Sequence, residues 1–60
     1  MPNSVSVVKY EIIITDLKDG LSNCYTYSTY KEAIDYYVLY RDTYKDCKIS
    51  LYALLKEEIL

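Results

Sequence analysis

Val5-Ser6-Val7-Val8-Lys9-Tyr10-Glu11-Ile12-Ile13-Ile14-Thr15, followed at once by Asp16-Leu17-Lys18-Asp19-Gly20, is the stretch on which the fold turns. Its β-branched density and its period of two predict a strand over 5–15. Val8, Tyr10, Ile12 and Ile14 fall on one face, the drier one, which is expected to meet the core. Val5, Val7, Lys9, Glu11, Ile13 and Thr15 fall on the other. That second face is mixed, yet Val5, Val7 and Ile13 make it more apolar than a plain solvent face requires. Asp19-Gly20 closes the stretch with a hairpin turn, because glycine accepts a positive φ that other residues resist. Gly20 is the only glycine in the chain, which makes its position informative.

Outward from this stretch, 21–27 reads as a second strand. Leu21, Asn23, Tyr25 and Tyr27 alternate with Ser22, Cys24 and Thr26, and the aromatic face is expected to point to the core. The alternative buries Cys24 and Thr26. Thr29-Tyr30-Lys31-Glu32 is a capping box, in which the Thr29 hydroxyl accepts from the Glu32 amide and the Glu32 carboxylate returns to the Thr29 amide. It predicts a helix over about 30–44. Tyr30, Ala33, Ile34, Tyr37, Tyr40 and Tyr44 form its apolar stripe, with Arg41 inside the stripe and reaching outward. Lys31, Glu32, Asp35 and Asp42 make the opposite side. Leu39 sits amid these charges, with Tyr36 and Val38 at its shoulders.

A third strand is expected over 47–53, with Cys47, Ile49, Leu51 and Ala53 on one side and Lys48, Ser50, Tyr52 and Leu54 on the other. The tail, 54–60, reads either as continued strand or as a helical turn. The expected fold is α+β and ββαβ, one domain over 1–60, with the helix packed on a three-stranded antiparallel sheet of order 2-1-3. The longest and most apolar strand then lies in the centre. The competing topology sets the third strand beside the second, in parallel, through a right-handed crossover.

Sixty residues bury only about 60% of the surface that the unfolded chain exposes, and domains this small rely on disulfides, a metal or oligomerisation. The chain has two cysteines, Cys24 and Cys47, and no histidine. Two thiols do not complete a four-ligand zinc site, and no Cys-x-x-Cys pair exists. No metal and no cofactor are therefore expected. The N-terminus lacks a basic region followed by an apolar run of signal-peptide length. The longest apolar run, Ile12-Ile13-Ile14, is far short of a membrane span. A cytoplasmic chain with reduced thiols is expected, its cysteines serving as small half-buried hydrophobes. Oligomerisation is the remedy left.

Catalytic residues are not expected. General acid–base work usually employs histidine or a carboxylate held in a cleft, and sixty residues offer little cleft. Asp16 and Asp19 belong to turn chemistry. A thiol nucleophile would lack a histidine base, and one glycine cannot form a phosphate-cradling loop. The net charge of −2 speaks against a protein that tracks a nucleic-acid backbone, and is too small for a DNA mimic. Lys9, Lys18 and Lys48 are scattered among Glu11, Asp16, Asp19 and Asp46.

Nine tyrosines occur with no phenylalanine and no tryptophan. Tyrosine joins a large apolar body to a hydroxyl that needs water or a partner, which suits core margins and protein interfaces. The face away from the helix would carry Val5, Val7, Ile13, Tyr52 and Leu54, an apolar patch that predicts a two-fold, sheet-on-sheet homodimer. Tyr36, Leu39 and Tyr40 on the helix form the second candidate interface. The alternative is a monomer whose Leu55, Ile59 and Leu60 fold back over the open sheet.

From Tyr10-Glu11-Ile12-Ile13 and Asp19-Gly20 through Tyr30-Lys31-Glu32-Ala33-Ile34-Asp35-Tyr36-Tyr37 to Ile49-Ser50-Leu51-Tyr52, the chain resembles the small ββαβ accessory proteins of bacteriophages and mobile elements of Gram-positive bacteria. That resemblance implies a host-directed role: binding a bacterial protein, such as a defence component, to inhibit or redirect it. The expected function is thus a non-catalytic protein-interaction module acting by occupancy. The alternatives are a nucleic-acid-binding or DNA-mimic protein, and a small structural component of a virion.

Overall fold

The structure, a computed structural model, describes residues 4–58, with side chains from 8 to 55. Its elements are β1 (Ser4–Asp16), β2 (Ser22–Tyr27), α1 (Tyr30–Thr43) and β3 (Cys47–Glu58). The strands form one antiparallel sheet of order β2-β1-β3. This is the expected ββαβ arrangement, and the parallel β2–β3 alternative is not formed.

The hairpin follows from its turn residues. Gly20 takes a φ of 76°, the left-handed conformation. The Gly20 amide donates to the Asp16 carbonyl at 2.9 Å, and the Asp16 amide donates to the Leu21 carbonyl at 2.8 Å. Both aspartates turn the chain with their side chains: Asp16 Oδ1 accepts from the Lys18 amide at 2.7 Å, and Asp19 Oδ1 from the Leu21 amide at 2.9 Å. Each carboxylate thereby satisfies a backbone donor that the tight turn leaves unpaired.

Ile12 and Ile14 are buried on the central strand, and Ala33 of α1 is buried as well; among the described residues these alone are. Ile12 pairs with Tyr25 on one side and Leu51 on the other, while Ile14 pairs with Asn23 and Ile49. The small Ala33 lets the helix lie close to the sheet. Thr29 caps the helix with extended backbone, and its hydroxyl accepts from the Glu32 amide at 3.2 Å. The return bond from the Glu32 carboxylate is not made among the described residues.

Val8 departs from expectation, and the open reading of the tail is decided. Val8 is not in the core: it is 54% exposed. Val7 pairs with Leu55 and Lys9 with Leu54, so Val8 is the extra residue of a bulge. It also lies past Tyr10, whose ring meets Tyr30 in the first turn of α1. The third strand does not stop near Ala53 but runs on to Glu58, which settles the tail as strand up to that residue. Ile59 and Leu60 lie outside the described residues.

The extension gives the molecule its outline. β2 pairs only with Tyr10 to Thr15 of β1, whereas β3 pairs from Asp16 out to Ser4. Residues 4–9 and 54–58 therefore form a two-stranded arm beyond the helix and β2. The Cα trace spans 48 × 23 × 12 Å.

Candidate functional site

Five tyrosines form a belt where α1 meets β2. Tyr25 and Tyr27, two apart on β2, share the strand face turned to the helix. Tyr36, Tyr40 and Tyr44, four apart, line one flank of α1 and its C-cap. Tyr27 stacks on Tyr36 with centroids 5.0 Å apart and planes 18° apart. Tyr36 meets Tyr40 at 5.8 Å, and Tyr40 meets Tyr25 at 5.6 Å and Tyr44 at 5.9 Å. Such ring pairs contribute about 0.5–1.5 kcal/mol each beyond their burial. The Tyr27 and Tyr40 hydroxyls share a hydrogen bond of 2.7 Å. Burial, then that bond, then the neighbouring tyrosines push the Tyr27 hydroxyl above the usual phenol range. On the other flank, the Arg41 guanidinium lies 5.5 Å from the centre of the Tyr37 ring.

The belt changes the meaning of the helical candidates. Tyr36 stands not on the shoulder of a charged side but in the stack, with 41% of its surface still open. Tyr40 is half-buried and carries the hydroxyl bond. Leu39 is 51% exposed, and it lines a shallow outward groove with Asp35 and Tyr36. The structure thus brings Tyr36 and Leu39 to one groove, and joins Tyr40 to it through the ring of Tyr36. The i, i+4, i+8 spacing of Tyr36, Tyr40 and Tyr44 was the sequence signal for the belt. A wheel drawn around Ala33 places Tyr36 off the core stripe because it ignores the aromatic partners on β2.

The sheet face away from the helix gathers Ile13 with Cys24, Ser50, Tyr52 and Leu54. Ile13 pairs with Cys24 and Ser50, Tyr52 with Glu11, and Leu54 with Lys9. Ile13 and Leu54 are half-buried and Tyr52 is exposed. Glu11 and Lys9 divide the apolar residues of this face. The side chains of Val5 and Val7 lie outside the described residues. The bulge at Val8 also interrupts the alternation that assigned them to the Ile13 face.

Both thiols are held above their ordinary pKa. A hydrogen bond to the Glu11 carboxylate, then burial and the Glu11 charge, raise the Cys24 pKa. Burial, then Asp16, Asp46 and Asp19, raise that of Cys47. A raised pKa leaves less thiolate, the reactive form, at neutral pH. Cys24 and Cys47 are both free, and β1 separates their strands. Two strand spacings are roughly 9.5 Å, beyond the reach of a disulfide. Among the described residues no group of three His, Cys, Asp or Glu stands close enough to hold a metal ion, and no helix is long and apolar enough to cross a membrane. No protein-family model matches the chain, and no curated protein or solved structure matches it.

Proposed function

We propose that this chain is a non-catalytic protein-interaction module that acts in the host cytoplasm by occupying a bacterial protein, as a phage-type modulator or inhibitor. The observation that carries this reading is the groove of Leu39, Asp35 and Tyr36, which the tyrosine belt adjoins at Tyr36. Binding is strongest where large side chains are already fixed before contact, since little rotamer freedom is then lost. The belt fixes Tyr36 through Tyr27 and Tyr40, while Leu39 stands free beside it. Raised thiol pKa values and aspartates engaged in the turn support binding over chemistry.

The test is affinity capture from a bacterial lysate, with the wild-type chain and Leu39→Lys side by side. An exposed helical leucine contributes little to stability, so Leu39→Lys should keep its fold to within about 0.5 kcal/mol. The wild type is expected to retain a defined protein that Leu39→Lys loses. Equal recovery by both, or nothing above background at several salt concentrations, contradicts the reading. A shift of oligonucleotides that weakens steeply with salt would point instead to nucleic-acid binding.

A further inference from the structure

β3 is an edge strand of twelve residues, and among the described residues nothing pairs with its outer side. Edges of this length usually carry a proline, a bulge, charged side chains or a covering loop. β3 has no proline or glycine, the register shift lies on β1, and no charged residue interrupts Ile49 to Leu55. Its distal part belongs to the two-stranded arm, and a two-stranded ribbon is marginal in water without further strands or a helix to pack on. Leu55, on that arm, is 61% exposed.

We propose that the outer edge of β3 is where a second copy of this chain pairs, antiparallel, with Ala53 on the two-fold axis. A two-fold axis perpendicular to a continuous sheet pairs residues of like face, so residue numbers across the junction sum to an even value. Centring on Ala53 aligns Lys48 with Glu58 twice, Leu51 with Leu55 twice and Tyr52 with Leu54 twice. It is the register with both charge and apolar complementarity. Centring on Tyr52 sets Lys48 against Lys56, and centring on Leu54 sets Leu51 against Glu57. In the Ala53 register, position 57, a glutamate, falls opposite Ile49 of the other copy. Ile49 lies at a groove of about 200 Å³ that Tyr37, Arg41 and Lys45 also line. Arg41 and Lys45 line that groove, and Lys48 takes the register position opposite 58. The arm of each copy gains the three-stranded body of the other as its neighbour, and the sheet grows to six strands. This edge is distinct from the Leu39 surface, so the two proposals fail or stand separately.

The test uses the full chain and reads intermolecular pairing directly. Lys48→Glu alone and Glu58→Lys alone are each expected to weaken self-association about tenfold, because two cross-strand attractions become repulsions. An equimolar mixture of the two variants is expected to restore it, since the mixed dimer regains both opposite-charge pairs. Separately, Ala53→Cys in a Cys24→Ser, Cys47→Ser background should form a disulfide dimer under mild oxidation, because directly opposed Cα atoms lie within disulfide reach. Leu51→Cys in the same background should not, its two copies being four residues out of register. Constant monomer mass overturns the proposal. So does a dimer indifferent to both charge reversals, or one that cross-links through Leu51→Cys but not Ala53→Cys; either places the contact elsewhere, such as the open sheet face. A wild-type chain that is monomeric alone, but whose β3 edge is protected by a captured protein, overturns self-pairing and assigns the edge to a foreign strand.

Discussion

The Tyr27 hydroxyl shows how one group ties stability to pH. Burial and the 2.7 Å bond to Tyr40 favour its protonated form in the folded chain, so its pKa there lies above the ordinary phenol value. The sign follows from linkage: the folded state binds the proton more tightly than the unfolded chain does. This contribution is complete below a pH of about 10, the phenol value of an unfolded chain. It is lost as pH rises through the folded pKa. Tyr27→Phe should lower stability by about 1 kcal/mol near neutrality, the usual worth of one hydrogen bond. It should also flatten the decline above a pH of about 10. Thermal melts of both proteins from neutral to strongly alkaline pH check this; parallel declines would show that Tyr27 is not the group responsible.

Thr29 illustrates what single side chains do for an element. It begins α1 from extended backbone and accepts the Glu32 amide, one of the donors that a helix start leaves open. Thr29→Ala should cost about 1 kcal/mol, and Thr29→Ser or Thr29→Asp should recover most of it; chemical denaturation with helical circular dichroism measures both. The cap, the Asp-Gly turn and the period-two strands were legible in the sequence because each is a local pattern of a few residues. The bulge at Val8 was not, because Val7-Val8-Lys9 also fits unbroken alternation and the extra residue shows only against β3. The tail was legible only as a choice between strand and helical turn. Leu55-Lys56-Glu57-Glu58 suits a helix by propensity, but the first half of β1 offers it a ladder, and that distant partner decides. Tyr36 was misplaced for a similar reason, since its stacking partner Tyr27 lies on another element. The helical pair of Leu39 with Tyr36 was visible as a surface, and the rings that support it were not.

Taken together, the chain has more surface than its size calls for. A compact monomer of 7.1 kDa is expected to expose about 4,100 Å², and this one exposes 4649 Å². The arm extends a thin sheet past the helix, and the Cα trace is 48 Å long. Among the described residues burial is complete at Ile12 and Ala33 and nearly so at Ile14, a small core for an independent monomer. A fold of this shape is expected to be completed by contact, with its own copy along β3 and with a target across Leu39. Its thermal stability should then rise with protein concentration, as for any assembly that binds the folded state alone. Sedimentation equilibrium from low to high micromolar concentration tests that expectation most directly. The predicted result is a mass rising from that of one chain towards twice 7.1 kDa, with the rise moved to about tenfold higher concentration in Lys48→Glu and moved back when Glu58→Lys is added in equal amount. A mass that stays at one chain throughout would contradict it.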